Sequence, residues 1–192
     1  MLDVIVIGGS AGALDPMFEI LTALSRTVTA PVVIVMHVLP NQPSLIPELI
    51  QRACPDRSVR EPDDKEPLAA RTIYVAAPNY HLLIERDATF SLSVDDPVNF
   101  SRPSIDVLFE SAAEAFGPRL VAILMSGSNA DGATGLAAVA RAGGTAIVQA
   151  GAEFSAMPDA GRTQVPNAHV LDAPAIAHFL ARHVSSDKGT FS

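Results

Sequence analysis

Short runs of apolar, often β-branched residues alternate along this chain with longer amphipathic segments. Each apolar run is three to five residues long and predicts a strand that is buried on both faces. Between the runs, segments such as 14–24 and 44–53 repeat apolar residues at helical spacing. This alternation is typical of βαβ units, so we predict an α/β fold with a doubly wound, mostly parallel sheet and helices on both faces. The predicted strands are 4–7, 32–35, 73–75, 120–124 and 145–148.

Three segments depart from this alternation. Residues 81–85 and 89–94 flank Arg86-Asp87-Ala88 and predict a small hairpin at the edge of the sheet. Residues 54–71 are rich in proline and charge, which favours a solvated loop or a short irregular excursion. The last residues are small and polar. We therefore predict one domain over residues 1–184, followed by a flexible C-terminal tail over residues 185–192.

Charge and cysteine content narrow the class of protein. The formal net charge of -8, with no basic cluster, argues against a nucleic-acid partner. The single cysteine, Cys54, forms neither an internal disulfide nor a thiol pair for a metal, which fits a reducing compartment. Asp3 stands where a signal peptide carries positive charge, and no apolar run approaches the roughly 20 residues that span a bilayer. We expect a cytoplasmic protein without membrane insertion.

The turn after the first predicted strand, GGSAG at 8–12, permits three interpretations. A dinucleotide-binding turn is disfavoured, because Ser10 and Ala13 stand where the third and sixth places of GxGxxG require glycine. A nucleophile turn is favoured, because GxSxG between strand and helix bends the chain sharply and exposes the serine hydroxyl. In the third interpretation, Ser10 only caps the following helix. The free amides at such a helix start are also suited to stabilise an oxyanion.

A serine hydroxyl is a weak nucleophile near neutral pH, so a nucleophilic Ser10 requires a base and a group that orients it. His37 closes the second predicted strand, and Asp131 follows the strand at 120–124 through a short polar loop. A structural histidine and a helix-capping aspartate are the alternatives. Carboxyl ends of parallel strands share one edge, so if the first strand lies between the other two, His37 can reach Ser10 on one side and Asp131 on the other. Ser10 to His37 and His37 to Asp131 should then be separated by roughly 2.6–3.2 Å.

Several motifs follow one another along the chain: GGSAG at 8–12, His37, YVAAP at 74–78, RPSIDVLF at 102–109, SGSNADGA at 126–133 and MP at 157–158. Taken in order, they resemble the catalytic domain of chemotaxis methylesterases, the CheB type, over residues 4–180. The resemblance implies hydrolysis of glutamate γ-methyl esters on the cytoplasmic helices of chemoreceptors, with release of methanol. Some members of the family also deamidate receptor glutamines.

The resemblance also implies the site. Ser10, His37 and Asp131 match the family's catalytic triad, and no cofactor or metal is implied. The residues that match its oxyanion and substrate-binding positions are Ala11, Gly12, Ser128, Asn129 and Met157.

Regulation and a rival function stay open at this point. Because the chain starts at the first catalytic strand, we expect a stand-alone form without a receiver domain, which leaves control by a separate regulatory protein open. The rival is a non-catalytic module that uses the same fold to bind a nucleotide or a protein.

Overall fold

The structure, a computed structural model, describes residues 4–24, 28–37 and 44–183. Within these residues a seven-stranded parallel sheet is accompanied by a separate two-stranded antiparallel sheet. The strands are β1 (Val4–Gly9), β2 (Val32–Met36), β3 (Ser58–Arg60), β4 (Thr72–Val75), β5 (His81–Ile84), β6 (Phe90–Ser93), β7 (Leu120–Leu124), β8 (Thr145–Gln149) and β9 (His169–Leu171).

The order of the strands in the main sheet is β3-β4-β2-β1-β7-β8-β9. β1 pairs in parallel with β2 on one side and with β7 on the other, so the first strand lies between the other two, as the predicted contacts of His37 require. The strand order therefore reverses direction between β1 and β7. Ligand sites of such sheets lie outside the carboxyl ends of the strands at this switch point.

Helices cover both faces of the sheet. They are α1 (Leu14–Leu24), α2 (Ile46–Ala53), α3 (Ile105–Phe116), α4 (Ala133–Arg141), α5 (Ala156–Gln164) and α6 (Ala173–His183). Strand β1 shows how side chains divide between the two faces: Ile5 and Ile7 belong to the core that α1, α2 and α6 complete, while Val4 and Val6 belong to the core beneath α3, α4 and α5. Because both faces are buried, the strand is apolar without alternation.

All five predicted strands are confirmed, but the prediction of a solvated loop or short irregular excursion over 54–71 missed a strand. This segment contains β3, which pairs in parallel with β4 at the edge of the sheet. Arg57 is buried and donates hydrogen bonds to the carbonyl oxygens of Ala30 (3.1 Å) and Val28. A polar strand of three residues carries no clear hydrophobic period, so its pattern could not be separated from that of a loop.

The predicted hairpin is confirmed as the antiparallel pair β5 and β6. It lies against α3, where the hydroxyl of Ser111 accepts a hydrogen bond from the N–H of Ile84 at 3.1 Å. The predicted tail at 185–192 lies outside the described residues. Among the described residues, none of the helices has the length and apolar character required to cross a membrane.

Candidate active site

Ser10 lies directly after β1, at the carboxyl end of the sheet. The peptide bond before it is held from both sides, because Ser10 N–H donates to the carbonyl of Ser126 (2.8 Å) and the carbonyl of Gly9 accepts from His37 N–H (3.1 Å). The chain then turns, with Ala13 N–H donating to the Ser10 carbonyl at 3.1 Å. Within the described residues the Ser10 hydroxyl makes no hydrogen bond, so nothing there supports a capping role. The hydroxyl is left available for chemistry.

Ser126 holds the turn that follows Ser10. Its hydroxyl donates to the carbonyl of Ala11 at 2.7 Å and accepts from Phe154 N–H at 3.0 Å. In a trans peptide the carbonyl and the next N–H point in opposite directions, so the amide of Gly12 points away from Ser126. The amides of Ala11 and Gly12 donate to no acceptor in the part of the chain that the structure describes. Two neighbouring amide donors beside Ser10 are thus without an acceptor in the described residues.

His37 and Asp131 form the pair that was predicted from sequence. Nε2 of His37 lies 2.8 Å from Oδ2 of Asp131, which confirms the predicted contact. The two side chains are 13% and 0% exposed, so water competes little for this hydrogen bond. Because a carboxylate only accepts, Nε2 is the donor in this pair, and in the neutral imidazole Nδ1 then keeps its lone pair for a hydroxyl proton.

The other predicted contact, between Ser10 and His37, is not formed. Both residues are described, and no hydrogen bond joins their side chains within the described part of the chain. Hydrogen bonds between a nucleophile and its base are often long in free enzymes and shorten when substrate binds. The positions of the two residues at neighbouring strand ends are retained.

The Asp131 carboxylate lies at the N-terminus of α3. It accepts the backbone N–H groups of Ile105 (2.8 Å) and Asp106 (3.2 Å), the hydroxyl of Ser104 (2.8 Å) and the side-chain amide of Asn99 (3.0 Å). Burial by itself raises the pKa of Asp131, but the hydrogen bonds from His37, Asn99, Ile105 and Ser104 outweigh burial and lower the pKa below its ordinary value. This carboxylate therefore stays ionised. It caps α3, not α4, the helix that follows Asp131 in the chain.

Asp106 is a second buried carboxylate close to the first. Its Oδ1 accepts Gly135 N–H at 2.7 Å, and its Oδ2 accepts the amide of Asn99 at 2.7 Å. Burial and the negative charge of Asp131 raise the pKa of Asp106, against the opposing effect of hydrogen bonds from Gly135 and Asn99. The site thus contains two carboxyls whose pKa values are displaced in opposite directions.

These two carboxyls are expected to make opposite contributions to the pH dependence of stability. The lowered pKa of Asp131 stabilises the fold above the ordinary aspartate range, and this contribution is lost as the pH falls through the folded pKa. The raised pKa of Asp106 destabilises the fold at neutral pH, and this effect is relieved as the pH falls through its folded pKa. Urea unfolding between about pH 7 and about pH 3 tests both contributions. In Asp106→Asn, the free energy of unfolding should not rise as the pH is lowered from neutral. In Asp131→Asn, it should not fall as the pH is lowered further. Identical pH profiles for the native protein and both variants would contradict these expectations.

The loop between β7 and Asp131 supplies the other predicted oxyanion residues. Ser128 and Asn129 are exposed, and their amides donate to no acceptor among the described residues. Met157 is 0% exposed and packs beneath this loop, since a Cβ placed on Gly127 would lie 2.5 Å from its Cε atom. Met157 was expected to contact substrate, but its buried side chain instead supports the loop from beneath, at Gly127.

Sequence reasoning missed five residues that the structure brings to the site. Ser104 and Asp106 lie within the RPSIDVLF motif and Ser126 within SGSNADGA, so all three were quoted without a role. Asn99 lies outside every motif, and Glu153 packs over Gly12 from the loop after β8. No local pattern marked either of these two, because each reaches the site through a loop.

A cleft of about 220 Å³ opens beside His37, between Asn79 and the segment 97–103. It provides room for a substrate side chain next to the proposed base. In the described ranges, no group of three or more His, Cys, Asp and Glu side chains is arranged to hold a metal ion.

A serine, a histidine and a buried aspartate at the switch point of a parallel sheet define an α/β hydrolytic enzyme of the serine type. The chain belongs to the CheB methylesterase family, whose sequence profile matches residues 5–180. A relative from Leptospira interrogans is 40% identical over 182 residues, which is 94% of either chain. The protein-glutamate methylesterase/protein-glutamine glutaminase of Azospirillum brasilense is 37% identical over 151 residues, covering 77% of this chain and 38% of that protein. The crystal structure of the Thermotoga maritima CheB methylesterase catalytic domain matches with a TM-score of 0.88 and 26% identity, covering 95% of this chain and 98% of that one.

Proposed function

We propose that this protein is a protein-glutamate methylesterase that hydrolyses glutamate γ-methyl esters on the cytoplasmic helices of chemoreceptors and releases methanol. The observation that carries the proposal is the His37–Asp131 hydrogen bond of 2.8 Å beside the Ser10 turn. Deamidation of receptor glutamines is a second reaction of the same acyl chemistry, and the names of the relatives include it. The residues we assign to catalysis are Ser10, His37 and Asp131.

In the proposed mechanism, Nδ1 of His37 accepts the Ser10 proton as the hydroxyl oxygen attacks the ester carbonyl. The developing oxyanion accepts hydrogen bonds from the unengaged amides of Ala11, Gly12 and the 128–129 loop. His37 then gives this proton to the departing methoxide oxygen, which leaves as methanol, and a water molecule repeats the cycle on the acyl-enzyme to give the glutamate carboxylate and restore the Ser10 hydroxyl. Asp131 maintains the tautomer of the imidazole and stabilises its cation.

The proposal places the protein in the cytoplasm, where the methylated helices of chemoreceptors lie. Residues 1–184 form the catalytic domain in this proposal. The net charge of -8 gives no attraction to nucleic acid, so the receptor is the proposed macromolecular partner. Control by a separate regulatory protein stays a prediction.

The decisive experiment measures methanol release from receptor helices that carry radiolabelled methyl esters. The native chain is also treated with a fluorophosphonate, and the modified residue is located by mass spectrometry. Release of methanol together with labelling of Ser10 supports the proposal. Binding of a nucleotide or protein without turnover and without labelling would favour the non-catalytic module.

Gly12→Ala is expected to impair both stability and turnover. Gly12 has a φ of +73°, and an added Cβ would lie 2.8 Å from the hydroxyl oxygen of Ser126 and 3.0 Å from Glu153. The left-handed backbone costs about 1–2 kcal/mol for alanine, and displacement of Ser126 releases the Ala11 carbonyl, so we expect turnover to fall roughly tenfold or more. Urea unfolding and methanol release measure the two effects.

Gly151→Ala is the matched control for this change. Gly151 also has a positive φ, +67°, but a Cβ there would meet nothing within 4 Å. We expect a similar loss of stability with native turnover. Equal loss of turnover in both variants would contradict the assigned role of the Gly12 turn.

A further inference from the structure

A tight turn beside the active site holds two residues in the left-handed backbone region. The N–H groups and carbonyls of Val98 and Ser101 bond to each other at 2.9 and 3.1 Å, and Asn99 and Phe100 between them have φ values of 51° and 61°. Positive φ at both central residues is characteristic of a type I′ turn. Asparagine is well suited to such a position. The turn therefore sets the direction in which the Asn99 side chain leaves the backbone.

The Asn99 side chain is directed at two buried carboxylates. Its Nδ2 lies 2.7 Å from Oδ2 of Asp106 and 3.0 Å from Oδ1 of Asp131. An amide nitrogen carries two hydrogens, so each carboxylate receives one. Asn99 is thus a donor shared by both acids.

Two negative charges held this close repel each other in a buried site, where water screens them poorly. The Asn99 amide group places its positively polarised hydrogens between them. It also fixes Asp131 from one side: Asn99 and Ser104 both bond to Oδ1, which leaves Oδ2 directed at His37. Without the amide, the repulsion from Asp106 would act on a carboxylate that only Ser104 and the N–H groups of Ile105 and Asp106 still hold besides His37. A rotation away from that charge would move Oδ2 away from Nε2.

We propose that Asn99 is a positioning residue of this active site, which orients the Asp131 carboxylate toward His37 and separates it from Asp106. Its kinetic consequence rests on the proposed esterase function. Its structural consequence, the orientation of the imidazole, is independent of any substrate.

The test uses Asn99→Gly in the full chain. Glycine adopts positive φ without strain, so the turn is preserved while the amide is removed. We expect kcat to fall by about 10- to 100-fold with KM changed by less than about threefold, because the change affects the catalytic groups rather than binding. In proton NMR spectra, the downfield signal of the His37 ring N–H should disappear or shift. Ala88→Gly, at a φ of 61° in the turn between β5 and β6, is the matched control and should leave kcat and the signal at native values.

A second variant separates positioning from a merely structural role. In Asn99→Gly/Asp106→Asn, the negative charge of Asp106 is removed, and the new side chain at position 106 supplies an amide beside Asp131. We expect this double variant to recover most of the lost kcat and the His37 signal. A residue needed only for the turn would not be rescued by a change at Asp106.

The outcomes keep the two proposals apart. In the first outcome, the native protein releases methanol, while Asn99→Gly keeps kcat within twofold of the native value and shows an unchanged His37 signal. This outcome overturns the role of Asn99 and leaves the esterase function intact. Loss of the signal in a protein that releases no methanol supports the role of Asn99 and overturns the esterase function. If thermal melting shows that Asn99→Gly is unfolded, the double variant is used instead. A folded double variant that shows the His37 signal supports the positioning role. A double variant without the signal overturns it.

Discussion

Replacing Ser10 by alanine is expected to lower kcat for methanol release by a factor on the order of 10⁴ or more, because the proposed nucleophile is removed. The free energy of unfolding should change by less than about 0.5 kcal/mol, as is usual where no packing or buried hydrogen bond is lost. The Ser10 hydroxyl makes no hydrogen bond within the described residues, so little is removed from the fold. Turnover is measured with labelled receptor helices and stability by urea unfolding.

Ser155→Ala is the control for this prediction. Ser155 is exposed at the start of α5 and makes no capping hydrogen bond with its side chain, so native turnover and stability are expected. If Ser10 acted chiefly as a helix cap, its loss would instead reduce stability by roughly 1 kcal/mol. Near-native turnover of Ser10→Ala would refute the assignment of the nucleophile.

Asp131→Asn is expected to reduce both turnover and stability. The carboxylate accepts hydrogen bonds from five groups in the described structure, and an amide can accept at only one of its two ends. An amide N–H directed at His37 would select the wrong tautomer, so kcat should fall by about 10³- to 10⁴-fold. Buried donors left unpaired should lower the free energy of unfolding by about 3 kcal/mol.

The control for Asp131→Asn is Asp159→Asn on α5. Asp159 is exposed and its pair with Arg162 spans 3.8 Å, so the change should remove no more than about 1 kcal/mol and leave turnover native. Methanol release and urea unfolding are measured for both variants. A stable, fully active Asp131→Asn protein would show that His37 is oriented by other groups.

Much of the fold follows from local pattern. Strands buried on both faces must be apolar at every position, so β1, β2 and β7 were visible as short continuous runs. The turn after β1 was equally visible, because a sharp bend between strand and helix requires small residues on both sides of Ser10. β3 and β9 were missed, since three residues at a sheet edge are too few to show a period.

What the sequence by itself determined about this protein is therefore the βαβ alternation and the identity of three candidate residues at strand ends, because burial and turn geometry act over a few neighbouring residues. The sequence also predicted the contact between His37 and Asp131, but only the tertiary structure decided the other contacts of the site. It placed Asp131 on the N-terminus of α3, directed Asn99 from a loop between two acids, and put Met157 beneath Gly127 rather than in the cleft. These contacts join segments far apart in the chain, and they depend on how helices and loops pack onto the finished sheet, which no local pattern encodes.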